Sequence, residues 1–511
     1  MEILPDNQGL PLAASEVKLE QLDEKPATSL FDTFTSPTIM YTIKSNYPAE
    51  YFSQGDVFMS ETVAPEKTGQ KRAINRLKSM YPLRNLVAQD YLDTLKASNE
   101  GKPTVWAMLN FWEGDIPLKA MDLNIVYPEN YSTLMASTGT AEPFLDAADS
   151  DGFPTHMCGY GRSTIGYSYL MMQQYGGKIP PDAPMGGMAK PALLLGSGAI
   201  CDARFKWFQA LNRYFYAPEW CLELPMMGTF EGTEPDLEEY QVKFMTRELR
   251  DFIAFLEKLL GRKMDWARLE ELTEIAIQIH ETTWQIHELR KSNPCPMHST
   301  DFWSSMPPAL FFAGDMKVAL KCYQDMLAEV QERVRNKVAG INYPEKYRIV
   351  FAELPPWHSL KFFDNLAEMG WNFVYESYGY HNPRPPDLSK VSDPVEKLAR
   401  LSRNFIFNIH PFARADGVAN PIIETYLKIA SGWKADGFFL HPLISCRAAS
   451  ASLRMVQDQL RKRLDVPTLW VEGDIIDKRV FNPQETLSRA EAFEQTMDHY
   501  RKVRKSGGLD W

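Results

Sequence analysis

Short apolar runs alternate with amphipathic stretches along most of the chain. Each run is bounded by turn-forming residues, which is typical of a buried strand. Between the runs, apolar residues recur at three-and-four spacing, which predicts helices packed on a sheet. Because strands and helices alternate, we expect parallel sheets with right-handed connections. The runs that predict strands are PTVWAML, NIVYPEN, PALLLGSGAI, YRIVFAEL, WNFVYESY, ADGFFLH and VPTLWVEGD.

The middle of the chain keeps the helical period and has none of these strand-like runs. Residues 242–260 predict an amphipathic helix, and Gly261 supplies the residue that ends it. Asp265 is a suitable cap for the next helix, and a further helix is expected over 315–338. An amphipathic helix is also predicted within residues 71–95. The middle of the chain is therefore expected to be helical.

These patterns predict an α/β protein with two doubly wound parallel-sheet domains, a helical insert and an N-terminal arm. Residues 1–100 form the arm and a helical region in this prediction, and residues 101–230 form the first α/β domain. Residues 231–345 form the helical segment, and residues 346–511 form the second α/β domain. A chain of 511 residues exceeds the size of one ordinary core, so more than one domain is expected.

Composition narrows the classes of function. The formal net charge is -11, which makes nucleic acid an unfavourable partner, although local Arg or Lys can still bind a phosphate-bearing ligand. No apolar run approaches the length of about 18 residues that predicts a membrane span. The chain begins without a basic-then-apolar signal, and its 6 cysteines lack the regular spacing of a disulfide framework. We therefore expect a cytoplasmic protein in a reducing compartment.

Three cysteines occupy similar positions at the start of helical patterns. Cys201 and Cys446 each follow an apolar run, and Cys158, in HMCGYGRSTIGYSYLMMQQY, likewise precedes a helix-like segment. A helix N-terminus carries partial positive charge that favours a thiolate, and ligands collect at the carboxyl ends of parallel strands. The remaining cysteines, Cys221, Cys295 and Cys322, are expected to be small buried hydrophobic residues.

Nucleotide-binding motifs are missing from the sequence. No GxxxxGK[ST] segment and no GxGxxG segment follows any predicted strand. The sequence therefore predicts neither ATP hydrolysis nor a dinucleotide site in this chain.

Five motifs, taken together and in order, resemble the 2-hydroxyacyl-CoA dehydratase and benzoyl-CoA reductase family over roughly residues 85–505. They are CGYGR at Cys158, SGAIC at Cys201, FAELPPWHSL, HPLISCR at Cys446, and VPTLWVEGDIIDKR followed by ETLSRAEAF. The resemblance implies two Rossmann-like domains in each large subunit. It also implies a [4Fe–4S] cluster held by three cysteines, which match Cys158, Cys201 and Cys446 here.

The chemistry of such a site agrees with the resemblance. A cluster held by three thiolates leaves one iron open, and an open metal position acts as a Lewis acid. The carbonyl oxygen of a CoA thioester is then expected to bind there while an electron arrives, giving a ketyl-type radical. The resemblance further implies a heteromer with a related large subunit and a separate ATP-hydrolysing iron–sulfur activator.

Candidate catalytic residues lie beside the expected cluster ligands. His156 and His441 are close in sequence to Cys158 and Cys446 and are candidates to donate protons, although a structural hydrogen bond would explain either histidine equally well. Glu113 matches the acidic residue that dehydratases of the family carry after the first strand.

Four further charged residues are candidates for secondary roles. Glu472 and Asp474 follow a predicted strand and are expected to orient the site or to bind backbone amides. Arg162 and Arg447 lie near the cysteines, where they would face a phosphate or a cluster sulfur, or form ordinary ion pairs.

The loop after the first strand favours one substrate class. Dehydratases resembling this chain carry serines there, whereas this chain has WAMLNFWE, ending at Glu113. The loss of hydroxyl donors favours a flat, apolar acyl group, and so does Trp112 if it walls the acyl pocket; the alternative is that Trp112 lies in the core beneath the site. We therefore expect an ATP-dependent benzoyl-CoA reductase-type subunit, with a 2-hydroxyacyl-CoA dehydratase subunit as the alternative. An electron-relay subunit and a zinc-binding scaffold, with His156 or His441 as fourth ligand, are further alternatives.

Overall fold

The computed structural model describes residues 72–108, 114–198, 202–223, 225, 237–376, 383–409, 421–509 and 511. Most of the predicted N-terminal arm, the Trp112 and Glu113 positions, and Cys201 lie outside these described residues. No described helix is both long and apolar enough to cross a membrane.

The first half of the described chain alternates helices with short strands, as the apolar pattern predicts. Its four strands are fully or partly buried and carry mostly apolar side chains. The elements are α1 (Met80–Asn99), β1 (Thr104–Ala107), α2 (Asp115–Ala120), β2 (Asn124–Val126), α3 (Pro128–Ser137), α4 (Glu142–Ser150), α5 (Gly159–Tyr169), β3 (Leu193–Ser197), α6 (Asp202–Phe215) and β4 (Glu219–Leu222).

These four strands form one parallel sheet in the order β2-β1-β3-β4. In the register, Trp106 of β1 is opposite Leu194 of β3, and Leu195 of β3 is opposite Trp220 of β4. The chain therefore leaves β1 towards one edge of the sheet, for β2, and returns to its other side, for β3. In open α/β sheets, such a reversal of strand order creates the crevice in which ligands bind.

The middle of the chain is helical, as predicted. The first of these helices begins at Leu237 rather than at Val242, and the next is capped by the Asp265 side chain, which accepts a hydrogen bond from the Arg268 amide at 2.9 Å. Asp315 caps the last helix in the same way. The helices are α7 (Leu237–Leu260), α8 (Trp266–Leu289), α9 (Ser299–Ser305), α10 (Pro307–Leu310) and α11 (Met316–Arg335).

The second half repeats the alternation of strand and helix. Three of its four strands are buried along their whole length, which explains why their sequences are nearly continuous apolar runs. The elements are β5 (Tyr347–Ala352), α12 (Phe362–Glu368), β6 (Trp371–Glu376), α13 (Pro394–Ile409), α14 (Pro421–Gly432), β7 (Gly437–Leu440), α15 (Arg447–Ser450), α16 (Leu453–Leu464), β8 (Thr468–Trp470) and α17 (Pro483–Ser506).

The second sheet is also parallel, in the order β6-β5-β7-β8, so both sheets have the same topology. Val350 of β5 is opposite Phe438 of β7, and Phe439 is opposite Leu469 of β8. The rings of Phe351 and Phe439 stack on one face of this sheet with centroids 5.2 Å apart. The prediction of an α/β fold built on parallel sheets is therefore confirmed.

The helix predicted after Cys446 is divided into two pieces. A single turn, α15, is followed by Ala451 and Ser452 in a turn, and the long helix α16 begins only at Leu453. The Ser450 hydroxyl bonds the backbone of Leu443, accepting from its amide at 2.8 Å and donating to its carbonyl at 2.9 Å. This bond ties α15 back to the loop and separates it from α16, which local periodicity does not reveal.

Candidate cysteine site

Two of the three candidate cysteines come after the strands at which the strand order of each sheet reverses. Cys446 follows β7, which lies beside β5 at the point where the strand order of the second sheet reverses. β3 occupies the equivalent position in the first sheet; Cys201 comes four residues after its end in sequence and is outside the described part of the chain. The shared topology explains why similar sequence patterns precede Cys201 and Cys446.

Cys158 and Cys446, the two candidate ligands that the structure describes, directly precede helical turns and are partly buried. Cys158 has an extended backbone (φ -46°, ψ 125°) and α5 begins at the next residue. Cys446 is also extended, and its amide donates to the Leu443 carbonyl at 3.2 Å. The helix after Cys446 has only one turn, so its dipole favours a thiolate there less than the sequence predicts. Within the described residues, neither cysteine forms a disulfide.

A hydrogen-bond chain joins the two cysteine positions. The amide of Gly159, next to Cys158, donates to the Ser445 hydroxyl at 3.3 Å, and Ser445 is next to Cys446. The Ser445 hydroxyl in turn donates to a carboxylate oxygen of Asp474. A Cβ at Gly159 would lie only 2.8 Å from that carboxylate, so the close approach requires glycine. Two segments that are distant in sequence are therefore fixed side by side.

Asp474 anchors this chain to the loop after β8. Its carboxylate is buried and accepts hydrogen bonds from the amides of Ile476 at 2.8 Å and Asp477 at 2.9 Å. This geometry matches the expectation that Asp474 binds backbone amides. Glu472 is exposed, and its carboxylate accepts only a long hydrogen bond, 3.4 Å, from the Trp470 indole among the described residues. Of these two acidic residues, the structure brings Asp474 to the cysteine positions.

A tyrosine and a tryptophan complete the wall of the site. The Trp357 indole donates to the Tyr160 hydroxyl at 2.6 Å, and both side chains are buried. Burial raises the pKa of Tyr160 well above its usual value, and Glu129 and the thiolate forms of Cys158 and Cys446 raise that pKa further. Tyr160 therefore keeps its proton, and its hydroxyl lies within electrostatic reach of both cysteines.

His441 is buried between aromatic rings at the start of the loop that leads to Cys446. Its Nδ1 bonds the Leu354 carbonyl at 2.8 Å, and its ring contacts Phe351 and Phe481. Burial lowers the pKa of His441 to about 4. Nδ1 therefore carries the hydrogen, and the imidazole is neutral near pH 7. Its Nε2 is buried beside Gly473 and has no hydrogen-bond partner in the described part of the protein.

The other predicted polar residues divide between surface and structural positions. His156 is exposed two residues before Cys158, in a turn. Arg162 is almost fully buried and forms ion pairs with Asp149 at 2.6 Å and Asp477 at 3.8 Å, so it is committed to these carboxylates. Arg447 is exposed at the start of α15. Glu113 lies outside the described residues.

The remaining described cysteines are poor candidates for thiolate ligands. Burial raises the pKa of Cys221 to about 12, with Glu223 acting in the same direction. Burial also raises the pKa of Cys295, whose thiol donates to the Met297 carbonyl at 3.2 Å, and of Cys322. These properties agree with the expectation that the three residues are structural.

No group of three or more His, Cys, Asp or Glu side chains with the arrangement of a metal site occurs within the described ranges. The third expected ligand, Cys201, is outside those ranges. The donor chemistry nevertheless suits an iron–sulfur cluster, because Cys158 and Cys446 supply two partly buried thiols on segments fixed side by side.

Sequence reasoning missed four residues of this region. Ser445, Tyr160 and Trp357 lie inside motifs whose cysteines attract attention first, and their roles depend on partners far away in the sequence. Glu353, in the motif FAELPPW, is buried with a positive φ of 84°. The sequence did contain a sign that Glu353 could be functional, because it is a charged residue that directly follows an apolar strand.

Several known proteins are similar in sequence to this chain over most of its length. The family model for 2-hydroxyglutaryl-CoA dehydratase, D-component, matches residues 118–497. The chain is 22% identical to the (R)-2-hydroxyisocaproyl-CoA dehydratase alpha subunit of Clostridioides difficile, over 83% of this chain and 97% of that protein. It is 24% identical to a subunit of benzoyl-CoA reductase from Thauera aromatica, over 83% of this chain and 95% of that protein.

A third relative is the (R)-phenyllactyl-CoA dehydratase alpha subunit of Clostridium sporogenes, which is 22% identical over 84% of this chain and 98% of that protein. These relatives include subunits of both dehydratases and a reductase, so the level of identity does not separate the two activities. The family match covers more than half of the chain and includes Cys158, Cys201 and Cys446. The chain therefore belongs to the 2-hydroxyglutaryl-CoA dehydratase D-component family of enzyme subunits.

Proposed function

We propose that this chain is the iron–sulfur subunit of an enzyme that acts on a CoA thioester, with a [4Fe–4S] cluster held by Cys158, Cys201 and Cys446. The observation that supports this most directly is the Gly159–Ser445 hydrogen bond, which places the residues beside Cys158 and Cys446 in contact. When bound, such a cluster supplies a low-potential electron and a Lewis-acidic iron position.

The residues around the cysteines have distinct roles in this proposal. Ser445 and Asp474 hold the two cysteine segments at a fixed separation. Tyr160 keeps its proton and offers a hydroxyl group near both thiols. His441 is neutral and acts by fixing the backbone at Leu354, while His156 and Glu113 remain candidates for proton transfer.

For the substrate we propose an aromatic acyl-CoA that is reduced. If Trp112 walls the acyl pocket, an aromatic ring gains about 0.5–1.5 kcal/mol from ring-to-ring contact beyond burial. A 2-hydroxyl group without a partner costs about 1–3 kcal/mol. Together these terms favour the aromatic ester by roughly one to three orders of magnitude in affinity. The similarity to the benzoyl-CoA reductase of Thauera aromatica supports this substrate class.

Dehydration of a 2-hydroxyacyl-CoA is the second candidate activity. It is supported by the family match and by the similarity to several alpha subunits of 2-hydroxyacyl-CoA dehydratases. In either case we propose a heteromer with a related large subunit, because the relatives are named as subunits. A separate ATP-hydrolysing iron–sulfur activator would supply electrons, since this chain lacks a phosphate-binding loop motif.

Ligand binding to the anaerobically purified complex tests the substrate proposal. Benzoyl-CoA should bind more tightly than a 2-hydroxyacyl-CoA, and Trp112→Ala should reduce that preference. The matched control is Trp266→Ala, which removes an exposed tryptophan at the start of α8 and should leave the preference unchanged. Tighter binding of the hydroxyacyl ester, unaffected by Trp112→Ala, would contradict the proposed aromatic substrate and favour the dehydratase activity instead.

A further inference from the structure

Glu353 has an unusual conformation at the carboxyl end of the second sheet. It directly follows β5, next to the point where the strand order reverses. Its φ of 84° lies in the left-handed region, which is uncommon for a residue with a side chain, and only 4% of the residue is exposed. Strained backbone of this kind clusters at functional sites, where the surrounding structure holds it in place.

His441 supplies the restraint that holds Glu353 in this conformation. Its backbone amide donates to the carbonyl of Ala352 at 3.2 Å, and its Nδ1 donates to the carbonyl of Leu354 at 2.8 Å. One histidine therefore bonds the backbone carbonyl groups of Ala352 and Leu354, the two residues that flank Glu353. This double contact fixes the direction in which the Glu353 side chain leaves the sheet.

The Glu353 carboxyl group has one partner and one unused oxygen. Its Oε1 accepts a hydrogen bond from the Tyr426 hydroxyl of α14 at 3.0 Å, whereas Oε2 is buried without a partner among the described residues. On neighbouring β6, Glu376 is held by Arg290 at 2.5 and 2.7 Å. No described cation pairs with Glu353, and burial raises its pKa to about 8, with the Tyr426 bond acting in the opposite direction.

Two short segments connect Glu353 to the cysteine site. Leu354, Pro355 and Pro356 lead from Glu353 to Trp357, whose indole bonds the Tyr160 hydroxyl beside Cys158. The loop after His441 leads in the same way to Cys446. Glu353 therefore lies at the same end of the second sheet as the loop that leads to Cys446.

We propose that Glu353 is a neutral carboxylic acid that donates a hydrogen bond from Oε2 to an oxygen of the acyl group in the bound CoA thioester. This inference rests on the proposed function, because it requires a thioester at this end of the sheet. The protonated acid is a donor with one vacant direction, and a carbonyl or hydroxyl oxygen is the acceptor that satisfies it. An ionised carboxylate at the same position would repel that oxygen.

The test measures the affinity of the complex for benzoyl-CoA and for free CoA at several pH values below and above 8. Free CoA lacks the acyl oxygen, so the ratio of the two affinities removes the titration of the shared phosphates. In the wild-type complex, the preference for the thioester should fall by roughly fivefold to tenfold as the acid ionises. Glu353→Gln should bind within a few-fold of wild type at neutral pH and lose this pH dependence, since the amide donates but does not ionise.

Two further variants keep the test decisive. Tyr426→Phe removes the bond that lowers the acid's pKa, so the loss of preference should move to higher pH. Glu485→Gln, an exposed residue of α17, should retain the wild-type profile. A wild-type ratio that is independent of pH, or a pH dependence that survives Glu353→Gln, would overturn the inference and leave the proposed function intact. Failure of the complex to bind any CoA thioester would overturn both.

Discussion

The amide of Gly159 donates a hydrogen bond to the hydroxyl of Ser445 at 3.3 Å, across a sequence separation of 286 residues. Each of the two residues is the neighbour of a candidate cluster cysteine, Cys158 or Cys446. The same hydroxyl is bonded to buried Asp474. The separation of these two cysteine segments is therefore set by protein groups rather than by a metal alone.

Ser445→Ala should weaken cluster retention. The variant leaves the Gly159 amide and one Asp474 oxygen without their buried partner, which costs about 1–3 kcal/mol of folding free energy. We expect lower iron content and an altered electron paramagnetic resonance spectrum after anaerobic purification. Ser450→Ala is the matched control, because it removes two bonds to Leu443 in the same loop and leaves the Gly159–Ser445–Asp474 chain in place.

The Ser450→Ala variant should lose a similar amount of stability but keep the wild-type iron content and spectrum. Equal iron loss in the two variants would show that loop integrity, rather than the bond between the cysteine segments, determines cluster retention.

The neutral state of His441 predicts a loss of stability in acid. Its pKa is lowered from 6.5 to about 4 in the folded protein, mainly by burial, so the unfolded chain binds the extra proton first. The contribution of neutral His441 to the free energy of unfolding is complete above pH 6.5. It declines by about 1.4 kcal/mol per pH unit as the pH falls towards 4. The free energy of unfolding of His441→Gln, measured with denaturant across this pH range, should therefore depend less steeply on pH than that of the wild type. An unchanged slope would mean that His441 is not buried as a neutral group.

Glu353 predicts a loss of stability as the pH rises, opposite in direction to the effect of His441. Its pKa is raised from 4.5 to about 8 by burial, so the folded protein retains a proton that the unfolded chain releases. Its contribution is complete below pH 4.5 and is lost as the pH rises towards 8. Relative to wild type, Glu353→Gln should gain about 1.4 kcal/mol of unfolding free energy per pH unit over this window. A constant difference between the two proteins would contradict the raised pKa.

Much of the fold follows from local sequence. The apolar runs predict the buried parallel strands, and Asp265 predicts a helix cap, because these features depend on residues close together in the chain. The positions of Cys158 and Cys446 before helical turns also follow from local pattern. The interruption between α15 and α16 does not, because it depends on a bond from Ser450 back to Leu443.

The candidate site was only partly predictable for the same reason. Cysteines are conspicuous, but Ser445 gains its importance from Gly159, and Trp357 gains its importance from Tyr160, each pairing joining segments far apart in sequence. For His441 the sequence left proton donation and a structural hydrogen bond equally open, and its burial in the folded protein favours the structural role. The importance of Glu353 could not be predicted from the sequence, because it depends on the backbone angle φ and on a carboxyl oxygen without a partner among the described residues.

The most direct test of the proposed function is the iron and sulfide content of the anaerobically purified complex, compared among wild type, Cys446→Ser and Cys322→Ser. Serine oxygen is a poor replacement for a thiolate on iron, so Cys446→Ser should lose the brown absorbance and most of the iron. Cys322, on α11, is partly buried like Cys446 but is expected to be structural, and Cys322→Ser should retain both. Full iron and sulfide in Cys446→Ser, or their loss only in Cys322→Ser, would contradict the assignment of the cluster ligands.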